Sequence, residues 1–219
     1  MRHVAHTMSP SAIPSVAANR RDRDVTYRAV DEALAVGWQA IVLTVDVVRG
    51  AYARPLMPAD PTASNDHVPF ASDLTFEDIG RFRERFGLPV VVKGILRSDD
   101  AVAAVDAGAA ALVVSNHGGR QLDAAEATAS ALPAVTAAVA GRAEVFVDGG
   151  IRAGVDIVRA LAMGAQGALI GRPTLYALVV AGSEGVASAL RGLRAEVETA
   201  MALCGAREVA EIDAELIAS

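Results

Sequence analysis

Disulfides have no place in this chain, because its one cysteine, Cys204, has no partner. That excludes an internal cross-link and fits a reducing compartment, so a cytoplasmic location is expected. Aromatic side chains are scarce, at 4% against 53% apolar residues. The core must therefore be built from Ala, Val, Leu and Ile, a composition that suits short buried strands alternating with alanine-rich helices. Positive charge is not in excess: the formal net charge is −6, which argues against nucleic acid or an anionic membrane as a partner. No uncharged apolar run approaches the roughly 18 residues of a membrane span. The polar start, Met1-Arg2-His3, leads into no signal-type segment. At 219 residues the chain has the length of one domain.

What is present is a repeated phrase. Gly37-Trp38-Gln39-Ala40-Ile41-Val42-Leu43-Thr44 aligns with Gly108-Ala109-Ala110-Ala111-Leu112-Val113-Val114-Ser115, and again with Gly164-Ala165-Gln166-Gly167-Ala168-Leu169-Ile170-Gly171. Each copy follows a helical pattern, such as Val155, Val158 and Leu161-Ala162. Its opening glycine stands where a helix C-terminus favours a left-handed residue. The phrase reads as helix, glycine stop, buried strand, small residue at the strand's end. Two further strands are Leu88 to Lys93 and Ala143 to Asp148. About five parallel strands result, ending near Asp46, Lys93, His117, Asp148 and Gly171, at the spacing of βα units. Polar residues at every strand end favour a TIM-type (β/α)8 barrel over a doubly wound sheet. The first 24 residues carry no complete strand, and Asp24 is expected to cap a helix. Val47 to Thr75, with four prolines, reads as a long loop over the strand ends. Glu184 to Ser219 reads as closing helices.

The densest chemistry is in Ser115-Asn116-His117-Gly118-Gly119-Arg120-Gln121-Leu122-Asp123. A base and a permanent cation stand three residues apart where an apolar strand meets a glycine turn. Imidazole exchanges a proton near neutral pH, and guanidinium grips a carboxylate through two parallel hydrogen bonds. Together they point to proton abstraction from a small anionic molecule. A histidine alone would more often be an ordinary core residue; this setting is what favours function. His3, His6 and His67 are too scattered for a metal site.

With these residues in hand, the chain resembles the FMN-dependent α-hydroxy acid oxidases and dehydrogenases, a family that includes glycolate, lactate and mandelate enzymes. The likeness rests on Leu43-Thr44-Val45-Asp46, Val92-Lys93-Gly94-Ile95-Leu96, the nine-residue segment, Val147-Asp148-Gly149-Gly150-Ile151-Arg152 and Ile170-Gly171-Arg172-Pro173, all in family order. It implies a TIM barrel and oxidation of a small 2-hydroxy acid to the 2-oxo acid. On this likeness His117 is the active-site base, Asp46 orients it, and Arg120 holds the substrate carboxylate. Lys93 lies beside flavin N1, and Thr44 and Ser115 hydrogen-bond the flavin. Asp148 holds the ribityl hydroxyls; Gly149, Gly150, Arg152, Gly171 and Arg172 form the phosphate site. Arg49 and Arg54 lie near a substrate-facing arginine of the family, but the register assigns neither.

The chain also departs from that pattern. Residues 1–24 match poorly, and 25–219 correspond to an incomplete barrel lacking N-terminal strands, where a full barrel takes about 250 residues. Ser15 to Arg20 stands where the family has an aromatic strand with a substrate-facing tyrosine. Five strands cannot close a barrel and leave two unpaired edges, so a homo-oligomer is expected. The competing expectation is an impaired paralogue that binds FMN or phosphate without turnover. Neither the choice of acid nor the final electron acceptor is written in these residues, although an oxidase-like soluble acceptor is favoured.

Overall fold

The computed structural model describes residues 15–17, 23–47 and 73–216. Positions 48–72 of the expected lid lie outside them, as do His3, His6, His67, Arg49 and Arg54. Six strands form one sheet: β1 (Ser15–Ala17), β2 (Ile41–Thr44), β3 (Val90–Ile95), β4 (Ala111–Val114), β5 (Glu144–Val147) and β6 (Gly167–Ala168). They are parallel and lie in chain order. Helices α1 (Arg23–Ala35), α2 (Glu77–Phe86), α3 (Ser98–Asp106), α4 (Thr128–Val139) and α5 (Gly154–Ala162) alternate with the strands, and α6 (Arg172–Cys204) follows the last. An order that never reverses sends every right-handed crossover to the same face of the sheet. A doubly wound sheet would reverse at a switch point. The fold is thus an incomplete (β/α)8-type barrel.

The repeated phrase has one structural cause. Gly37, Gly108 and Gly164 all take positive φ, at 88°, 99° and 96°. In each copy the glycine N–H bonds back three residues and the next N–H bonds back five, to Ala33, Ala104 and Ala160. That is the Schellman stop, which satisfies the last helical carbonyls and turns the chain into the following strand. The strand after it is apolar because both of its faces are covered: all four residues of β4 are buried.

The main core lies between the sheet and its helices, with Val30, Ile41, Leu43, Ile79, Phe82, Val92, Leu112 and Leu132 at 1% exposure or less. Phe82 meets Tyr27 edge-on, with ring centroids 5.6 Å apart. Arg85 lies over the Tyr27 ring at 4.4 Å. Buried Asp78 ties α1 to α2, accepting from Arg23 at 3.3 Å, Arg81 at 3.2 Å and the Thr75 amide at 2.9 Å.

Four details differ from the sequence reading. A strand, β1, does occur within the first 24 residues, paired with β2 in the register Ser15 to Val42. Three residues are too few to show periodicity. Helix α1 begins at Arg23, so Asp24 lies inside its first turn, where its charge suits the positive end of the helix dipole. Strand β6 is only two residues long, although the Leu169 amide extends the pairing to Val147 at 2.8 Å. Among the described residues one helix, α6, is long and apolar enough to span a membrane by length and composition. Its path breaks at Ala181 and Gly182, however, and Glu184, Arg191, Arg194, Glu196 and Glu198 follow the break.

Replacing Phe82 with alanine removes the largest fully buried side chain from the main core. Urea unfolding should show a loss of about 3–5 kcal/mol; a change under about 1 kcal/mol would contradict this packing.

Candidate active site

Strands β2 to β5 deliver their C-terminal residues to one rim. Thr44 is paired in register with Lys93, and Lys93 with Val113. The parallel register therefore places the ends of β3, β4 and β5 side by side. Lys93 Nζ reaches Asp148 Oδ2 at 2.8 Å and Ser115 Oγ at 2.8 Å. The Lys93 and Asp148 side chains are 14% and 17% exposed. An ammonium in an apolar strand needs such partners. It carries three protons, so one remains for the cleft.

After Ser115 the chain turns sharply. His117 to Gly119 form a single 3-10 turn. His117 itself has φ of +55°, a conformation that costs a non-glycine residue energy. Two contacts hold it there. Its amide donates to Ser115 Oγ at 3.1 Å, and its ring Nδ1 meets Asp46 Oδ1 and Oδ2 at 3.1 and 3.2 Å. A carboxylate can only accept from that nitrogen, so Nδ1 carries the proton and Nε2 is left as the basic lone pair. Asp46 is fixed in turn by the backbone bulge at Gly94 (φ +113°), where any β-carbon would stand 2.7 Å from Asp46 Cβ.

A cleft of about 490 Å³ opens over this rim. Lys93, His117, Gly118, Arg120, Asp148, Gly149, Gly150, Arg152, Gly171 and Arg172 all border it, together with Ile151, Leu169, Pro173, Leu175 and Tyr176. Eleven of the twelve residues singled out from the sequence are therefore at the rim or directly behind it: nine line the cleft, Asp46 braces His117, and Ser115 braces both His117 and Lys93. Gly149 and Gly150 have φ of 84° and 80°, and the amides of Gly149, Gly150 and Ile151 take no backbone partner among the described residues. Successive amides in such a turn make an anion-binding concavity. Arg172 donates to the Gly118 carbonyl at 3.3 Å, linking the last βα turn to the His117 turn.

Thr44 and Ser115 are 4% and 0% exposed and are not among the residues that border the cleft. Ser115 is placed under the wall, with its hydroxyl accepting from the lysine and from the His117 amide. Sequence reasoning missed Tyr176 and Leu175, which face the cleft from the first turns of α6. Their only signal was an apolar pair shortly after Pro173. It also missed Asn116 and Thr128, which pack behind Gly149.

Comparison with known proteins places this geometry in context. The family model for FMN-dependent dehydrogenases matches residues 51–219. L-lactate oxidase of Nostoc sp. is 42% identical over 224 residues, covering 90% of this chain and 61% of that protein. Human 2-hydroxyacid oxidase 1 is 38% identical, covering 90% and 61%. A crystal structure of mandelate oxidase superposes with a TM-score of 0.78 at 44% identity, covering 87% of this chain and 59% of that one. A variant of it with (S)-mandelic acid gives 0.80 at 42%, covering 89% and 59%. The chain thus spans about three fifths of the length of the curated relatives it matches.

Ser115→Ala removes one fully buried acceptor and strands two donors. Urea unfolding should report a loss of about 1–3 kcal/mol, and an unchanged midpoint would show that the hydroxyl does not carry the Lys93 and His117 contacts.

Proposed function

Because the chain belongs to the family of FMN-dependent dehydrogenases, we propose that it oxidises a small 2-hydroxy acid to the 2-oxo acid, with FMN as cofactor. The observation that carries this reading is the imidazole of His117 held by Asp46 through Nδ1, at the edge of a cleft that also exposes Lys93 and Arg120.

The residues present fit FMN on three counts. Asp148 Oδ1 is buried without a hydrogen-bond partner, an acceptor ready for a ribityl hydroxyl. An unpaired buried oxygen is costly until something donates to it. Lys93 has a donor left for the electron-rich edge of the flavin, where it would offset negative charge. The Gly149-Gly150 turn, Gly171 and the guanidinium groups of Arg152 and Arg172 form a basic, amide-lined end suited to phosphate. Thr44, at the end of β2 beside Lys93, belongs to the same half of the site.

Oxidising a 2-hydroxy acid removes two electrons and two protons from it. FMN, when bound, would supply the acceptor for the two electrons and the second proton. His117 Nε2 takes one substrate proton, whether that proton leaves oxygen or carbon, and Asp46 stabilises the imidazolium that forms. Arg120 grips the carboxylate with its planar fork, which fixes the reacting carbon against His117. The relatives act in their names on lactate, glycolate and 2-hydroxy acids generally; mandelate is the third specific candidate, from the mandelate oxidase structures. Within the same reading the protein is cytoplasmic, uses a soluble oxidase-like acceptor and works as a homo-oligomer, which the two sheet edges, β1 and β6, unpaired among the described residues, favour.

A second reading, FMN or phosphate binding without turnover, has its own support. Strand β1 carries Ser15, Val16 and Ala17 beside β2, with no phenol to bind a substrate hydroxyl.

Anaerobic mixing of the FMN-loaded protein with lactate, glycolate or mandelate separates the two. Bleaching of the visible flavin band is expected, slowed by about 10²–10⁴-fold in His117→Ala. Yellow protein that never bleaches would leave the binding reading, and colourless protein would reject both. Arg120→Lys keeps the charge but loses the fork, so the acid concentration for half-maximal bleaching should rise about tenfold or more.

A further inference from the structure

The turn at Gly149 is braced from behind by two side chains that do not border the cleft. Thr128, the first residue of α4 and 4% exposed, donates its hydroxyl to the Gly149 carbonyl at 3.2 Å. Asn116 donates its amide to the Glu126 carbonyl at 3.2 Å, which fixes which end of its side chain is oxygen. That oxygen, Oδ1, is buried without a hydrogen-bond partner and faces Gly149. A β-carbon at position 149 would stand 3.0 Å from Asn116 Oδ1 and 3.2 Å from Thr128 Oγ1. Gly149 is therefore required twice, for its φ of +84° and for the space these two groups occupy.

The geometry has a directional consequence. A trans peptide unit is planar, with its carbonyl and its N–H on opposite sides. The unit between Gly149 and Gly150 has its carbonyl drawn back onto the buried Thr128 hydroxyl. The Gly150 N–H must then point forward, into the cleft bordered by Gly150, Arg152, Gly171 and Arg172. Without the hydroxyl, the Gly149 carbonyl loses the hydrogen bond that opposes a peptide flip, which would aim an acceptor at an anion.

We infer that Thr128 is a positioning residue for phosphate binding, its hydroxyl setting the direction of the Gly150 amide while Asn116 closes the space behind the turn. This rests on the FMN reading above. The role belongs to the phosphate end of the ligand alone, so it predicts discrimination between FMN and riboflavin, which lacks that phosphate.

The test titrates FMN and riboflavin separately against the whole chain, read by quenching of flavin fluorescence. Thr128→Val, nearly isosteric, should weaken FMN binding about tenfold, the scale of one hydrogen bond to a charged group. Riboflavin affinity should stay within twofold, and Thr128→Ser should restore FMN binding. Equal weakening of both flavins, or no change in either, would overturn the assignment. If the valine chain does not fold, Thr128→Ala carries the same comparison; if neither folds, the hydroxyl serves folding and the inference is wrong. Failure of the unaltered chain to bind FMN would instead overturn the functional reading, and this assignment with it.

Discussion

The site depends on one ion pair. Lys93 and Asp148 stand at the ends of β3 and β5, two strands apart, and meet at 2.8 Å over the end of β4. The cost of removing an ammonium and a carboxylate from water is large, and only close pairing with further hydrogen bonds offsets it. Ser115 supplies one of those bonds. Its hydroxyl also receives the His117 amide, so the charge pair and the strained histidine turn share an acceptor. Asp46 braces the same histidine from β2's side. Four consecutive strand ends are thereby tied into one network, which requires the parallel register to be correct at every pairing. A slip of one residue would reverse the facing of each side chain and dissolve the rim.

Much of this was legible beforehand, for a physical reason. Signals that are local in the chain survive as text: the glycine after each helix, the four-residue apolar strand, the polar residue at its end. They gave the barrel architecture and the cluster of strand-end residues. His117 was legible because the turn that strains it is written in the two glycines that follow. What could not be read is what arises between distant segments. Thr128 lies 21 residues from the turn it braces, and a threonine at a helix start is unremarkable in a sequence. Strand β1 owes its existence to pairing with β2, not to any pattern in Ser15-Val16-Ala17. Ser115 and Thr44 read as small polar strand ends, and only the folded chain reveals that both are buried and that Ser115 Oγ accepts from Lys93 and the His117 amide.

Charge makes the final link between fold and function. The chain is acidic overall, with 26 carboxylates against 20 basic side chains, and an anionic cofactor and substrate would gain nothing from such a protein at long range. The cleft inverts that sign. Its border holds Lys93, Arg120, Arg152 and Arg172 against one carboxylate, Asp148, which is already engaged by the lysine. At physiological ionic strength exposed charges beyond about 8 Å are largely screened, so an anion in the cleft responds to these groups and little to the acidic surface. The amides of the Gly149-Gly150 turn add fixed dipoles of the same sign without adding net charge. Lys93 is the only lysine in the sequence; every other permanent cation is an arginine. A compact ammonium fits where one proton goes to each of two buried partners and a third remains for a ligand, whereas a planar guanidinium would need the rim to be rebuilt around it. The arginines border the cleft where the proposed ligands would be forked or tetrahedral. Under the proposed function, this distribution of cation types would set the phosphate toward the last two turns and the acid toward His117.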